Sequence, residues 1–193
     1  MSLILASNSQ IRRAMLEQAG LSFEVRSPDF DEEVAKRDTV LTGEQLVRSL
    51  AEGKAASVSA GRTELVIGSD SSVSVNGVTY SKPRDRVEAA AHLRAFSGRT
   101  MLLSSAVALA RQGKPLWSHA ETARLEVRPL SDRFIDQYLD EEWPEVGYCV
   151  GVFRLEGRGV TLFQHIEGSY FTILGMPLIP LLGELRAQGL MPS

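Results

Sequence analysis

Four short clusters in the chain combine residue types that handle phosphate, metal and water chemistry. Ser7-Asn8-Ser9-Gln10-Ile11-Arg12-Arg13 sets hydroxyls and two guanidinium groups where an apolar run gives way to helical spacing. The free N–H groups and dipole at a helix start attract anions, and arginines add bidentate phosphate contacts. Taken alone, the same residues read more simply as a capped helix with solvated arginines. In Val66-Ile67-Gly68-Ser69-Asp70-Ser71-Ser72 a buried run delivers Asp70 at its carboxyl end, where open α/β sheets bind ligands. A carboxylate there can hold a divalent cation or take a proton from water, or it can simply open a turn. Lys82, in Tyr80-Ser81-Lys82-Pro83, is either a point charge for a phosphate or a surface lysine, and Lys54 has the same two readings. Arg154-Leu155-Glu156-Gly157, Ile166-Glu167-Gly168-Ser169-Tyr170 and Leu174-Gly175-Met176-Pro177-Leu178 are pocket-lining segments or turn punctuation.

Other chemistries are absent. There is no GxxxxGK[ST] loop, no HExxH and no GxSxG, and Gly157-Arg158-Gly159 is only a fragment of a dinucleotide fingerprint, with Leu162 where it would need its third glycine. His92, His119 and His165 are scattered, with no metal-ligand spacing among them. Cys149 is the one cysteine, which excludes an intramolecular disulfide and cysteine-rich zinc sites and predicts a reducing cytoplasmic setting. The chain has 21 Lys+Arg against 24 Asp+Glu, a net charge of −3, and lacks the basic excess of a protein that wraps nucleic acid. The first residues have no basic region ahead of their apolar stretch, and the apolar segment 173–182 is about half a membrane span and holds two prolines. No secretion signal and no membrane segment are expected.

Positioning these clusters falls to a series of predicted elements. Leu3-Ile4-Leu5-Ala6 reads as a buried strand, followed by a helix carrying Ile11, Met15, Leu16 and Ala19 and stopped by Gly20. A second helix is predicted over 44–60 and a buried strand over 65–67. Asn76-Gly77 marks a two-residue hairpin between 72–75 and 78–80. Residues 84–96 read as a helix. Two long alternating strands, 99–110 and 117–128, flank the turn Gln112-Gly113-Lys114-Pro115. A helix capped by Ser131 runs to Asp140, a strand covers 160–166, and a closing helix covers 176–187 with Pro177 in its first turn. With 193 residues, 44% of them hydrophobic, and no linker or repeat, residues 1–193 are expected to form a single α/β domain on a mixed sheet.

The ordered set Leu5-Ala6-Ser7-Asn8-Ser9-Gln10-Ile11-Arg12-Arg13, Asp31-Glu32, Gly68-Ser69-Asp70, Ser81-Lys82-Pro83, Ser97-Gly98-Arg99, Glu156-Gly157 and Leu174-Gly175-Met176-Pro177-Leu178 resembles the Maf family of nucleoside triphosphate pyrophosphatases, from Leu3 to about Arg186. The resemblance implies an elongated mixed sheet flanked by helices, with two lobes and a cleft, related to the inosine triphosphate pyrophosphatases. It implies hydrolysis of a nucleoside triphosphate to monophosphate and diphosphate with Mg²⁺ or Mn²⁺, by a cytoplasmic homodimer. Asp70 falls on the family's general base and, with Glu32, on its metal positions. Ser7, Arg12, Arg13, Lys54 and Lys82 fall on its phosphate positions.

Departures from the family pattern sharpen the expectation. Where Ser-Pro-Arg-Arg is usual, this chain has Ser9-Gln10-Ile11-Arg12, and where thymidine/uridine-type members carry Asp-Lys-Ala-Gly and then Gln-Gly, it has Tyr148-Cys149-Val150-Gly151 and Glu156-Gly157. It is similar instead to the 7-methyl-GTP-type members at Ile11, Gly68-Ser69-Asp70 and Glu156-Gly157. Ile11, Ser71 and Glu156 are therefore the expected base-selecting positions. A Glu carboxylate only accepts hydrogen bonds, which suits the N1–H and N2–H₂ edge of guanine. The alternative reading, motivated by the missing cations at 11 and 149, is a catalytically impaired nucleotide-binding regulator of cell division.

Overall fold

The structure is a computed structural model that describes residues 2–37 and 39–192. Strand β1 (Ser2–Ala6) is followed by helix α1 (Gln10–Gln18), whose N-cap Ser9 accepts from the Arg12 N–H. A short strand β2 (Phe23–Val25) leads to helix α2 (Glu32–Arg37) and helix α3 (Gly43–Ser57). Strand β3 (Glu64–Val75) and β4 (Val78–Tyr80) enclose Asn76-Gly77, both at positive φ as a two-residue hairpin turn requires. Helix α4 (Arg86–Phe96), capped by Asp85, precedes strands β5 (Thr100–Arg111) and β6 (Lys114–Val127). Helix α5 (Asp132–Glu142), two 3₁₀ turns (Glu145–Tyr148 and Arg158–Leu162), β7 (Phe163–Glu167), α6 (Tyr170–Ile173) and α7 (Leu178–Ala187) complete the chain.

The seven-stranded sheet has the order β2-β1-β3-β5-β6-β7, with β4 paired to β3 off this path. It is mixed: β1 pairs parallel with β2 and β3, while β3–β4 and β6–β7 are antiparallel. Contacts group the chain into two compact units, Met1–Ser71 with Ser104–Glu121 and Ser169–Ser193, and Ser72–Leu103 with Thr122–Gly168. In the first unit, period-2 alternation sorts the central strands onto two cores. Leu3, Leu5, Leu65 and Ile67 pack with Met15 and Leu16 of α1 and Leu178, Leu181 and Leu185 of α7. Ile4, Ala6 and Val66 face Val47, Ala51 and Ala55 of α3. In the second unit, α4 buries Ala89, Ala90, Leu93 and Phe96, and α5 buries Ile135, Tyr138 and Leu139. Among the described residues no helix is long and apolar enough to cross a membrane.

Several elements differ from expectation. The strand predicted over 65–67 continues unbroken to Val75, so Asp70 lies inside a strand rather than at its end. The α3 helix stops at Ser57, where Val58 turns extended. The turn between the long strands is only Gln112-Gly113; Lys114 and Pro115 already belong to β6. The strand expected over 160–166 begins as a 3₁₀ turn, and Pro177 caps α7 from outside it. Helix α2 has no buried residue to give it a periodic signal; Glu32 and Glu33 in its first turn and Lys36 and Arg37 in its last complement the dipole.

Candidate active site

The register of β1 against β3 explains why Asp70 is available. β1 ends where Ala6 pairs with Gly68, so Ser69, Asp70 and Ser71 run on past the carboxyl end of their parallel neighbour. The ligand-binding end is thus that of β1, and β3 passes across it. Alternation then divides the three residues. Gly68 and Asp70 share the face packed by α3; Ser69 and Ser71 share the face packed by α1 and α7.

On the first face, α3 comes unusually close. A Cβ at Gly68 would lie 2.2 Å from the Ala51 carbonyl oxygen and 2.6 Å from the Ala55 nitrogen, so only glycine allows this approach. Lys54, between those two alanines on the helix, is carried onto Asp70, with Nζ 2.5 Å from Oδ1. The same ammonium reaches Glu32 Oε1 at 2.7 Å, and Lys36 approaches the other Glu32 oxygen at 3.4 Å. Glu32 is brought there because the Phe30 ring lies where a side chain on Gly53 of α3 would project, with a Cβ at 53 only 2.4 Å from it. Lys54 is 6% exposed and Asp70 4%, and neither would be stable there unpaired. Burial raises the Glu32 carboxyl, but the hydrogen bond and charge of Lys54, with Lys36, outweigh it and hold the group below the usual carboxylate range.

The second face holds a hydroxyl network around one carbonyl. Gly175 O accepts from Arg12 Nε at 2.9 Å, from Ser69 Oγ at 3.0 Å and from Ser71 Oγ at 3.1 Å. Arg12 Nη2 also donates to Ser71 Oγ at 3.0 Å, and Ser105 Oγ lies 2.9 Å from Ser71 Oγ and 2.8 Å from Thr172 O. Nε and Nη2 are therefore committed to the protein, while Nη1 makes no hydrogen bond among the described residues. Burial lowers the Arg12 guanidinium from its ordinary value, opposed by the charges of Asp70 and Glu32, and an arginine so placed stays cationic.

The donor set fits a hard divalent cation. Asp70 Oδ2 is buried and has no hydrogen-bond partner, which is the condition of an acceptor that meets a ligand or water. Glu32 stands on the other side of the shared Lys54. Among the described residues no group of three His, Cys, Asp or Glu side chains is placed to hold a metal. Two carboxylates suit an ion of the Mg²⁺ type, which completes its shell with substrate phosphate and water.

Asp70, Lys54, Glu32, Arg12 and Ser71 are thus brought together within the first unit. Ser7 is buried at the β1–α1 junction, where its Oγ accepts from the Ser9 N–H at 3.2 Å. Ile11 is half-buried on α1. Arg13 faces outward in an exposed pair with Glu17 at 2.7 Å. Lys82 and Glu156 belong to the second unit and are exposed. Lys82 follows Tyr80, whose ring stands edge-on to His92 and Phe96 at 5.1 Å and 4.7 Å. Both Lys82 and Glu156 lie within electrostatic range of Cys149, which is half-buried rather than a core residue, and burial pushes its thiol up to about 11. Sequence reasoning missed Ser69, Ser105 and the Gly175 carbonyl as parts of the site. Ser69 and Gly175 stood in flagged motifs without a role of their own, and Ser105, in the middle of an apolar strand, gives no signal.

Comparison with protein families matches residues 2–188 to the Maf-like proteins. Among curated proteins, the chain is 47% identical over 191 residues to a 7-methyl-GTP pyrophosphatase of Rhizobium meliloti (strain 1021), covering 97% of this chain and 96% of that protein. It is 43% identical over 190 residues to a nucleoside triphosphate pyrophosphatase of Gluconobacter oxydans (strain 621H), covering 96% of this chain and 94% of the relative. Among solved structures, a nucleoside-triphosphatase / dITP/XTP pyrophosphatase of Mycobacterium abscessus superposes with a TM-score of 0.40 at 17% identity, over 67% of this chain and 76% of that one.

Proposed function

Since this chain belongs to the Maf family, we propose that it is a nucleoside triphosphate pyrophosphatase, converting a nucleoside triphosphate and water to the monophosphate and diphosphate. The observation that carries this reading is Asp70: a buried carboxylate with Oδ1 clamped by Lys54 at 2.5 Å and Oδ2 left without a partner. A base for a water nucleophile needs one oxygen held for orientation and the other free for the proton.

Attack of water at the α-phosphorus places charge on the non-bridging oxygens and on the departing diphosphate. Asp70 Oδ2 takes the proton from the water as the new P–O bond forms and the α–β bridging bond breaks. Arg12 directs Nη1 at phosphate, its other nitrogens fixed by Gly175 O and Ser71 Oγ. Lys54 holds Asp70 in place through Oδ1, and Glu32 shares the same ammonium. A Mg²⁺ or Mn²⁺ held by Asp70 and Glu32 would neutralise phosphate charge. Ser7, Arg13 and Lys82 are assigned to the triphosphate, and Ile11, Ser71 and Glu156 to the base. Glu156 favours a purine of the guanine type, 7-methyl-GTP included, in keeping with the relatives that carry that name. The same reading includes a cytoplasmic homodimer.

Diphosphate release across a panel of GTP, 7-methyl-GTP, UTP, dTTP and base-modified triphosphates, with Mg²⁺ or Mn²⁺, tests it. Asp70→Asn should cut turnover by about 10²–10³, the loss typical of one transition-state group, with the far-UV spectrum unchanged. A folded variant keeping more than about a third of wild-type turnover would remove Asp70 from the chemistry.

A further inference from the structure

Within the second unit, the loop that carries Glu156 is held by two side chains of α5 that the mechanism above leaves unused. Tyr138 and Glu142 stand one helical turn apart, on one face of α5, and are 3% and 6% exposed. The Tyr138 hydroxyl donates to the Val152 carbonyl at 3.0 Å. Val152 has φ +56 and is fully buried, a conformation β-branched residues avoid and keep only where the surroundings impose it. Two residues on, Glu142 Oε2 receives Nη2 and Nε of Arg154 at 2.9 Å and 3.3 Å. The Arg154 carbonyl in turn accepts from the Gly157 N–H at 3.2 Å, closing the turn that presents Glu156. Gly159 packs on the same peptide so tightly that a Cβ there would meet Arg154 O at 2.4 Å. Glu156 itself, at the apex, makes no hydrogen bond or ion pair among the described residues.

A strained residue, a buried hydroxyl and a buried carboxylate are an expensive way to stabilise a loop; apolar side chains of similar volume would do as well. What the polar pair supplies is a fixed geometry. We propose that Tyr138 and Glu142 are positioning residues for nucleotide selectivity: they lock loop 151–159 and, through it, set the Glu156 carboxylate that reads the purine edge. This rests on the pyrophosphatase reading and on the role of Glu156 within it.

The test measures kcat and KM for GTP and UTP, by diphosphate release, in the full chain and in Glu156→Gln, Glu142→Gln, Tyr138→Phe and the double variant Glu142→Gln/Glu156→Gln. Glu156→Gln should lower the purine-to-pyrimidine ratio of kcat/KM. Glu142→Gln and Tyr138→Phe should each lower it by about threefold or more, chiefly through the KM for GTP, as expected for contacts in one network. In the Glu156→Gln background, Glu142→Gln should change the ratio little, because its effect passes through the residue already replaced. Should Glu142→Gln fold poorly, Tyr138→Phe decides, since it removes one hydroxyl and keeps the ring. Unmoved ratios in the α5 variants, with Glu156→Gln shifted, overturn this proposal alone, as do effects that simply multiply in the double variant. An unmoved ratio in Glu156→Gln overturns both the assignment of Glu156 and the route through it. A wild-type chain that releases no diphosphate from any nucleotide overturns the pyrophosphatase reading and this proposal with it.

Discussion

A buried ammonium survives at position 54 because two carboxylates meet it, Asp70 at 2.5 Å and Glu32 at 2.7 Å. Glu32 is the partner whose titration can be followed. Its folded carboxyl lies below the ordinary value, so it contributes stability that is present above the unfolded value, about 4.3, and is lost as pH falls through the folded one. Denaturant unfolding of the wild type and of Glu32→Gln between pH 7 and pH 3 should therefore give a stability gap that is full near neutrality and closes on acidification. A gap that stays constant down to pH 3 would show that the Lys54–Glu32 pair does not hold the Glu32 proton off. Arg12 and Asp70 are legible in the sequence because each stands in a short motif with its own chemistry, whereas Glu32 and Lys54 receive roles only through the family resemblance. Ser105 and the Gly175 carbonyl are not, since Ser105 reaches Thr172 from 67 residues away and a backbone acceptor has no residue type. Arg13, whose type and place suggest phosphate, stands at the surface paired with Glu17, a carboxylate that a triphosphate would have to displace.

Elements position these residues through close backbone approach, and Gly68 is where that can be tested. Gly68→Ala would put a methyl 2.2 Å from a backbone oxygen of α3, with no flexible side chain to give way. The helix must shift, at about 1–3 kcal/mol or more for such overpacking, and Lys54 moves with it. Lower stability together with a fall in kcat is expected, the second because Asp70 loses its clamp. Gly183 in α7 is the control: exposed, helical and with nothing within 4 Å of an added Cβ. Gly183→Ala should stabilise by about 0.8–1 kcal/mol from helix propensity alone and leave turnover as it was. Equal effects at the two positions, read from urea unfolding and diphosphate release, would refute the packing argument. Elements with strong periodicity or turn chemistry are legible from sequence: the buried β1, the hairpin at Asn76-Gly77, α5 capped by Ser131. Those formed by context are not. Helix α2 buries nothing of its own, β2 is three residues long, and β3 outruns its apolar signal because Ser69, Asp70 and Ser71 spend their polar groups on α3, α1 and the Gly175 carbonyl rather than on a turn.

At the scale of the molecule, strands β3, β5 and β6 each contribute residues to both compact units, so the chain is expected to unfold as one and to report ligand binding in its melting temperature. A ligand that binds only the folded state at about a hundredfold over its Kd adds about 2.7 kcal/mol. At about 2–4 °C per kcal/mol for a chain of this length, the Tm should rise by about 5–10 °C. The probe is a guanosine triphosphate with a methylene group between the α and β phosphorus atoms, which cannot be cleaved at the bond in question. Asp70 and Glu32 put two carboxylate charges around Lys54, and each repels a polyphosphate that Arg12 attracts until a divalent cation neutralises it. The rise should accordingly need Mg²⁺ or Mn²⁺ and be largely lost in EDTA. In Asp70→Asn one of those charges is gone, so the analogue should stabilise in EDTA more than it does the wild type, and the gain from metal should shrink. An identical rise with and without metal would remove the divalent ion from the site, and no rise with any triphosphate would remove the nucleotide. If the metal-dependent rise appears and Asp70→Asn narrows it, charge balance around Lys54 is what couples nucleotide, metal and fold.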